Sequence, residues 1–93
     1  MNIRYYLDPD TGNPHMYKHN VSEIEVDEVL SSPGEDRLGK EGTRVAIGQT
    51  KGGRYLRIIY VPDLESYSLF IITAIELTRK ALSAYKRRRK RKK

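Results

Sequence analysis

The chain has no cysteine and only two histidines, His15 and His19. Without thiols, neither disulfides nor thiolate metal sites can contribute, and a reducing cytosol is compatible with the sequence. Two histidines are too few for a structural metal site, so no metal or cofactor is expected. Long hydrophobic runs are also missing. The longest apolar stretch, Leu69 to Ile72, is far too short to cross a bilayer, and Met1-Asn2-Ile3-Arg4 leads into no apolar signal segment. These absences point to a soluble, cytoplasmic protein with no membrane partner.

Familiar catalytic templates are lacking as well. Gly48, Gly52 and Gly53 lie in or beside a hairpin with no following helix, so they form no phosphate-binding loop. No serine sits in a nucleophile elbow, and no carboxylate pair stands apart from the scattered acidic surface.

What the chain does have is localised charge. Its 18 lysines and arginines exceed its 12 acidic residues to give a net charge of +6, and all of the last eight residues, Lys86 to Lys93, are basic. Without that tail the remaining chain is slightly acidic. A block of like charge is expected to stay solvated and disordered until a polyanion meets it. RNA, DNA, a ribosome or an acidic protein would serve. The organisation we expect is therefore one domain over residues 1–85 and a disordered basic tail over 86–93.

Local signals divide the domain. Ile3 to Leu7 reads as a short strand closed by the turn formers Asp8 to Gly12. Val21 to Val26 carries a complete helix start: Ser22 as N-cap, Glu25 completing the capping box, and Val21 and Val26 as a hydrophobic staple. Ser31-Ser32-Pro33-Gly34 ends that helix, and residues 34–42 read mainly as loop. Strands near 43–50, 54–61 and 67–74 form an antiparallel meander. Ala74, Leu77, Ala81, Leu82 and Tyr85 recur at helical spacing and predict a second helix over the sheet.

A two-residue turn at Gly52-Gly53 would set Val45 and Ile47 opposite Tyr60 and Ile58. A five-residue loop over 62–66 would set Ile58 opposite Phe70. One apolar face, covered by both helices, follows from this register. The other face would hold Arg44, Ala46, Gly48, Tyr55, Arg57, Ile59, Leu69, Ile71 and Thr73, with Arg57 across from Gly48 and Tyr55 across from Thr73. A guanidinium, a phenol and a hydroxyl would then gather at one end. An ordinary solvated sheet face accounts for the same pattern.

Such a cluster suits metal-free RNA cleavage, in which the 2′-hydroxyl is the nucleophile and the protein supplies proton transfer and cations. Arginine fits the cationic role, and His19 or Tyr85 the proton transfers. A lone loop histidine is more often a surface residue, and Tyr85 at helical spacing is by default a packing residue.

Taken in order, Lys18-His19-Asn20-Val21-Ser22, Arg44-Val45-Ala46-Ile47-Gly48, Gly53-Arg54-Tyr55-Leu56, Ile72-Thr73-Ala74 and the late Tyr85 resemble the BrnT-type toxins and small relatives within the RelE/ParE-like group. The resemblance spans His19 to Tyr85. It implies a RelE-like α+β fold and a type II toxin that cleaves RNA without a metal, neutralised by a cognate antitoxin and acting on free or ribosome-bound RNA. By the same resemblance His19, Arg44, Arg54 and Tyr85 match the family's polar positions, and sheet parity adds Arg57 to these catalytic candidates. RNA contacts would come from Tyr55, Thr73, Lys86, Arg87, Arg88, Arg89, Lys90 and Arg91. The chain departs from the family pattern at Ile75, usually arginine, at Ala81, usually glutamate, and at Asn20, usually glycine. The absent arginine at Ile75 favours an alternative, a noncatalytic nucleic-acid or ribosome-binding module on the same scaffold. The fold class expected is α+β: an antiparallel sheet of a short N-terminal strand and a three-stranded meander, packed on one face by two helices.

Overall fold

A computed structural model of the protein describes residues 2–91. The capping box forms as expected. The Ser22 hydroxyl accepts from the Glu25 N–H at 3.2 Å and the Glu25 carboxylate accepts from the Ser22 N–H at 3.0 Å, opening helix α1 (Glu23–Ser31). Val21 and Val26 are both fully buried, as a staple that fixes the chain's entry should be. A short 3₁₀ helix, His15–His19, precedes α1 and sinks Met16 into the same core.

Five strands form one mixed sheet: β1 (Asn2–Tyr5), β2 (Glu35–Leu38), β3 (Arg44–Gln49), β4 (Tyr55–Asp63) and β5 (Ser68–Glu76), in spatial order β1-β5-β4-β3-β2. The meander expected in the second half is present. Two features differ from the expected antiparallel sheet. β1 runs parallel to β5, because Ile3 and Tyr5 extend the apolar side that Leu69 and Ile71 begin. β2 forms inside the segment read as loop, pairing Glu35 to Leu38 with Ile47 to Arg44. Its charged sequence suits an exposed edge strand.

The register corrects the expected faces. Thr50, Lys51, Gly52 and Gly53 make a turn closed by the Gly53 N–H on the Thr50 carbonyl, and Gly53 takes a φ of +96°. The loop is therefore three residues long, a turn ending in a left-handed glycine bulge, instead of two. Pairing slips by one residue to Ala46↔Ile58 and Gly48↔Leu56, and a one-residue slip moves every side chain of a strand to the other face. Arg44, Ala46 and Gly48 thus join Leu56, Ile58 and Tyr60. A second irregularity between Ile59 and Tyr60 moves Leu69 and Ile71 across too, so Tyr60 faces Ile71 while Ile59 faces Thr73.

The main core lies between α1 and this side of the sheet, built from Met16, Val21, Val26, Val29, Ala46, Leu56, Ile58, Tyr60, Ile71 and Ala74. Gly48 is small because α1 comes close: an added Cβ would lie 3.1 Å from Val29 Cγ1.

The second helix does not share that side. Helix α2 (Arg79–Arg91) reaches residues that alternate away from α1. Tyr85 packs its ring 6.0 Å from Tyr55, and Arg88 pairs with Glu35. The expectation of two helices on one face is corrected by the same slip that turned Tyr55 and Ile47 together to the far side. The disordered tail is corrected as well, since Lys86 to Arg91 continue α2. Arg88 and Arg89 have partners in the fold, so this block is not uniformly self-repelling. Lys92 and Lys93 lie outside the described residues.

Candidate nucleic-acid interface

The side chains expected to act together as catalysts are dispersed. Arg44 points to the α1 side, where its Nε donates to Asp36 at 3.1 Å and the Tyr60 hydroxyl donates to the same carboxylate at 2.7 Å. Burial, with Asp36 beside it, pushes the Tyr60 phenol up to about 12. Arg54 ties three elements together. It donates to the Asn20 carbonyl at 2.8 Å, to both Glu25 oxygens at 2.9 Å, and to Glu76 at 3.2 Å. Burial alone would raise the Glu25 carboxyl, but the Ser22 N–H and the Arg54 guanidinium outweigh it and hold it below the usual carboxylate value. Both arginines serve the fold.

His19 ends the 3₁₀ helix on the α1 side, its ring 5.6 Å from that of His15. Arg57 faces the other way, so the expected placement of Arg44 and Arg57 on one face is corrected. Arg57 lies across from Ile47 and Ile75 rather than Gly48, and Tyr55 is two pairs of strand residues away from Thr73's partner Ile59. The room expected above Arg57 is instead occupied by Ile47, while the space at Gly48 accommodates Val29.

The α2 side keeps Tyr55, Arg57, Thr73 and Tyr85 together on one surface. Arg57 Nε and Thr73 Oγ1 are buried without a hydrogen-bond partner among the described residues. Tyr85 is only 5% exposed, and burial pushes its phenol up. Neither histidine is on this side. This side therefore brings cations and aromatic rings together, with the Glu35 carboxylate bound to Arg88 at its edge.

Helix α2 divides its cations between two tasks. Arg88 makes a two-pronged contact, Nε to Glu35 Oε2 at 2.7 Å and Nη2 to Oε1 at 2.9 Å, the geometry in which arginine binds carboxylate best. Arg89 donates to the Gly34 carbonyl at 2.6 Å. These two dock the helix. Gly34 leaves room for Tyr85, because an added Cβ would meet the Tyr85 hydroxyl. Lys86, Arg87, Lys90 and Arg91 are exposed. Of these, Lys86 places its ammonium 5.2 Å from the Tyr55 ring centre, and the other three make no ion pair or hydrogen bond among the described residues.

Between α2 and the β3–β4 end of the sheet opens a cleft of about 420 Å³, lined chiefly by Gln49, Tyr55, Tyr85, Lys86, Arg89 and Lys90. Gln49 and Glu35 were not legible as site residues. Gln49 belonged to the wrong face in the two-residue-turn register, and Glu35 lay in a presumed loop. Among the described residues no cluster of histidine and carboxylate groups is placed to hold a metal, and no helix is long and apolar enough to cross a membrane. No protein-family model, curated protein or solved structure matches the chain.

Proposed function

We propose that this chain is a noncatalytic nucleic-acid-binding module that holds RNA along the exposed side of α2. The observation that carries this reading is the division of labour on one helix. Arg88 and Arg89 are consumed in docking, while Lys86, Arg87, Lys90 and Arg91 face solvent. Unpaired cations fixed on a rigid element are pre-organised to neutralise phosphates, and released counterions supply the free energy. A mobile tail would lose more entropy on binding than a helix already formed.

A BrnT-like ribonuclease restrained by an antitoxin is the second reading. It is favoured by the shared orientation of Arg57, Thr73 and Tyr85, and disfavoured by Ile75 lying directly across from Arg57. In a RelE/ParE-like site an arginine at that position would have added a second cation beside the first.

The test replaces Lys86, Arg87, Lys90 and Arg91 with glutamine and measures RNA binding by fluorescence anisotropy across a salt series. Substitution is preferable to truncation, which would also remove Arg88 and Arg89 and undock the helix. We expect the wild-type log–log slope to be roughly −0.7 per phosphate neutralised, the variant to lose most of its affinity while keeping its fold, and the RNA to remain intact. Equal binding by the variant refutes the module. New RNA ends that vanish in Arg57→Ala establish the ribonuclease instead.

A further inference from the structure

The cleft beside α2 has a shape and lining that a purely electrostatic surface does not need. Resting on the nucleic-acid reading above, we infer that it receives an unstacked nucleobase with its adjoining phosphate, so that the protein selects single-stranded over double-stranded nucleic acid. The volume of about 420 Å³ falls within the roughly 300–1,000 Å³ of sites that hold small ligands and cofactors. A phosphate contact alone requires no such concavity.

The lining supplies what a nucleotide presents. The Tyr55 ring is held on edge by Tyr85, at an interplanar angle of 61°, which fixes its plane without covering both faces. The cover over one face is the Lys86 ammonium at 5.2 Å, on a flexible side chain. A base that stacks on Tyr55 displaces that ammonium, which swings to the phosphate the base brings with it, flanked by Lys90. One cation–π contact is exchanged for a stack and a charge-assisted bond. Gln49 donates its amide to the Gly53 carbonyl at 3.2 Å. Its own carbonyl oxygen has no partner among the described residues, and accepts from an amino or imino group on the base edge.

Bases in a duplex keep their faces inside the stack and cannot enter. Single strands expose them, and stacking on aromatic rings is how such strands are held.

The experiment compares a single strand with a duplex carrying the same number of phosphates, at physiological salt, for wild type, Tyr55→Phe and Tyr55→Ala. We expect the wild type to prefer the single strand by about tenfold or more, Tyr55→Phe to behave like wild type, and Tyr55→Ala to lose on the order of tenfold to a hundredfold on the single strand but nothing on the duplex. Equal wild-type affinity for both forms overturns the inference and leaves the binding module standing. Binding of neither form removes both. Because Tyr55→Ala also loosens the seat of Tyr85, wild-type protein is photo-crosslinked to a thiouridine-bearing strand: a crosslink at Tyr55 supports the pocket, and crosslinks confined to α2 refute it.

Discussion

The two sides of the sheet differ in how much of their positive charge is committed to the fold. On the α1 side every arginine has a carboxylate: Arg44 has Asp36, and Arg54 has Glu25 and Glu76. Those pairs frame a core that excludes water. On the α2 side Val45, Ile59, Val61 and Ile75 are only partly covered, Arg57 Nε is without a partner among the described residues, and most of the α2 cations face solvent. Stability is concentrated on one side, and uncommitted positive charge on the other. Arg4, Arg37 and Arg88 have carboxylate partners on this side too, Asp63 for the first and Glu35 for the other two, so the uncommitted charge is that of Arg57 and the outward face of α2.

The sharpest way to break that comparison is to truncate neighbours in β4 that face opposite ways. Ile58 is completely buried under α1, while Ile59 is half-buried on the α2 side. Ile58→Ala should cost about 2–5 kcal/mol, the range for a filled core position that cannot collapse. Ile59→Ala should cost about 1 kcal/mol, because water already reaches its side chain. Urea midpoints for both variants measure the difference. Similar losses would show that the α2 side is a second core.

Acid titration tests the paired side next. Glu25 has its folded-state pKa depressed, so its stabilising contribution is present above the unfolded value of 4.5 and is lost as pH falls through the lower folded value. Glu25→Gln should therefore cost about 1–2 kcal/mol at neutral pH, through weakened bonds to Arg54 and the α1 cap. The gap to wild type should close as the solution is acidified below 4.5. A gap that stays constant with pH would mean that Arg54 gains nothing from the charge.

Much of the α1 side was legible because its signals are local. Ser22 and Glu25 are three residues apart, and a capping box leaves few alternatives. The meander strands were legible from their branched and aromatic residues. What the sequence hides is register, which depended on whether the turn after Thr50 held two residues or three. Lys51-Gly52-Gly53 permits both, and the choice moved Arg44 from the expected site to the opposite face. β2 was hidden for another reason: Glu-Asp-Arg-Leu carries no strand periodicity, and it is extended only because β3 offers an unpaired edge and Arg88 a partner for Glu35. The helical state of the basic block depends likewise on Glu35 and Gly34, more than fifty residues away.

The finest comparison lies within α2 itself, between neighbours about a hundred degrees apart around the helix. Arg88 is bound to Glu35, whose side chain is only 8% exposed, so Arg88→Gln leaves a buried carboxylate with weaker company. It should lower stability by about 1 kcal/mol and loosen the cleft. Arg87 is exposed and has no ion pair among the described residues. Arg87→Gln should leave the urea midpoint unchanged, within about 0.5 kcal/mol, and lower the magnitude of the salt slope for single strands by about 0.7. If the roles separate in this way, adjacent arginines of one basic run perform different tasks. A stability loss in Arg87→Gln as large as that in Arg88→Gln would show that the run works only as a structural unit.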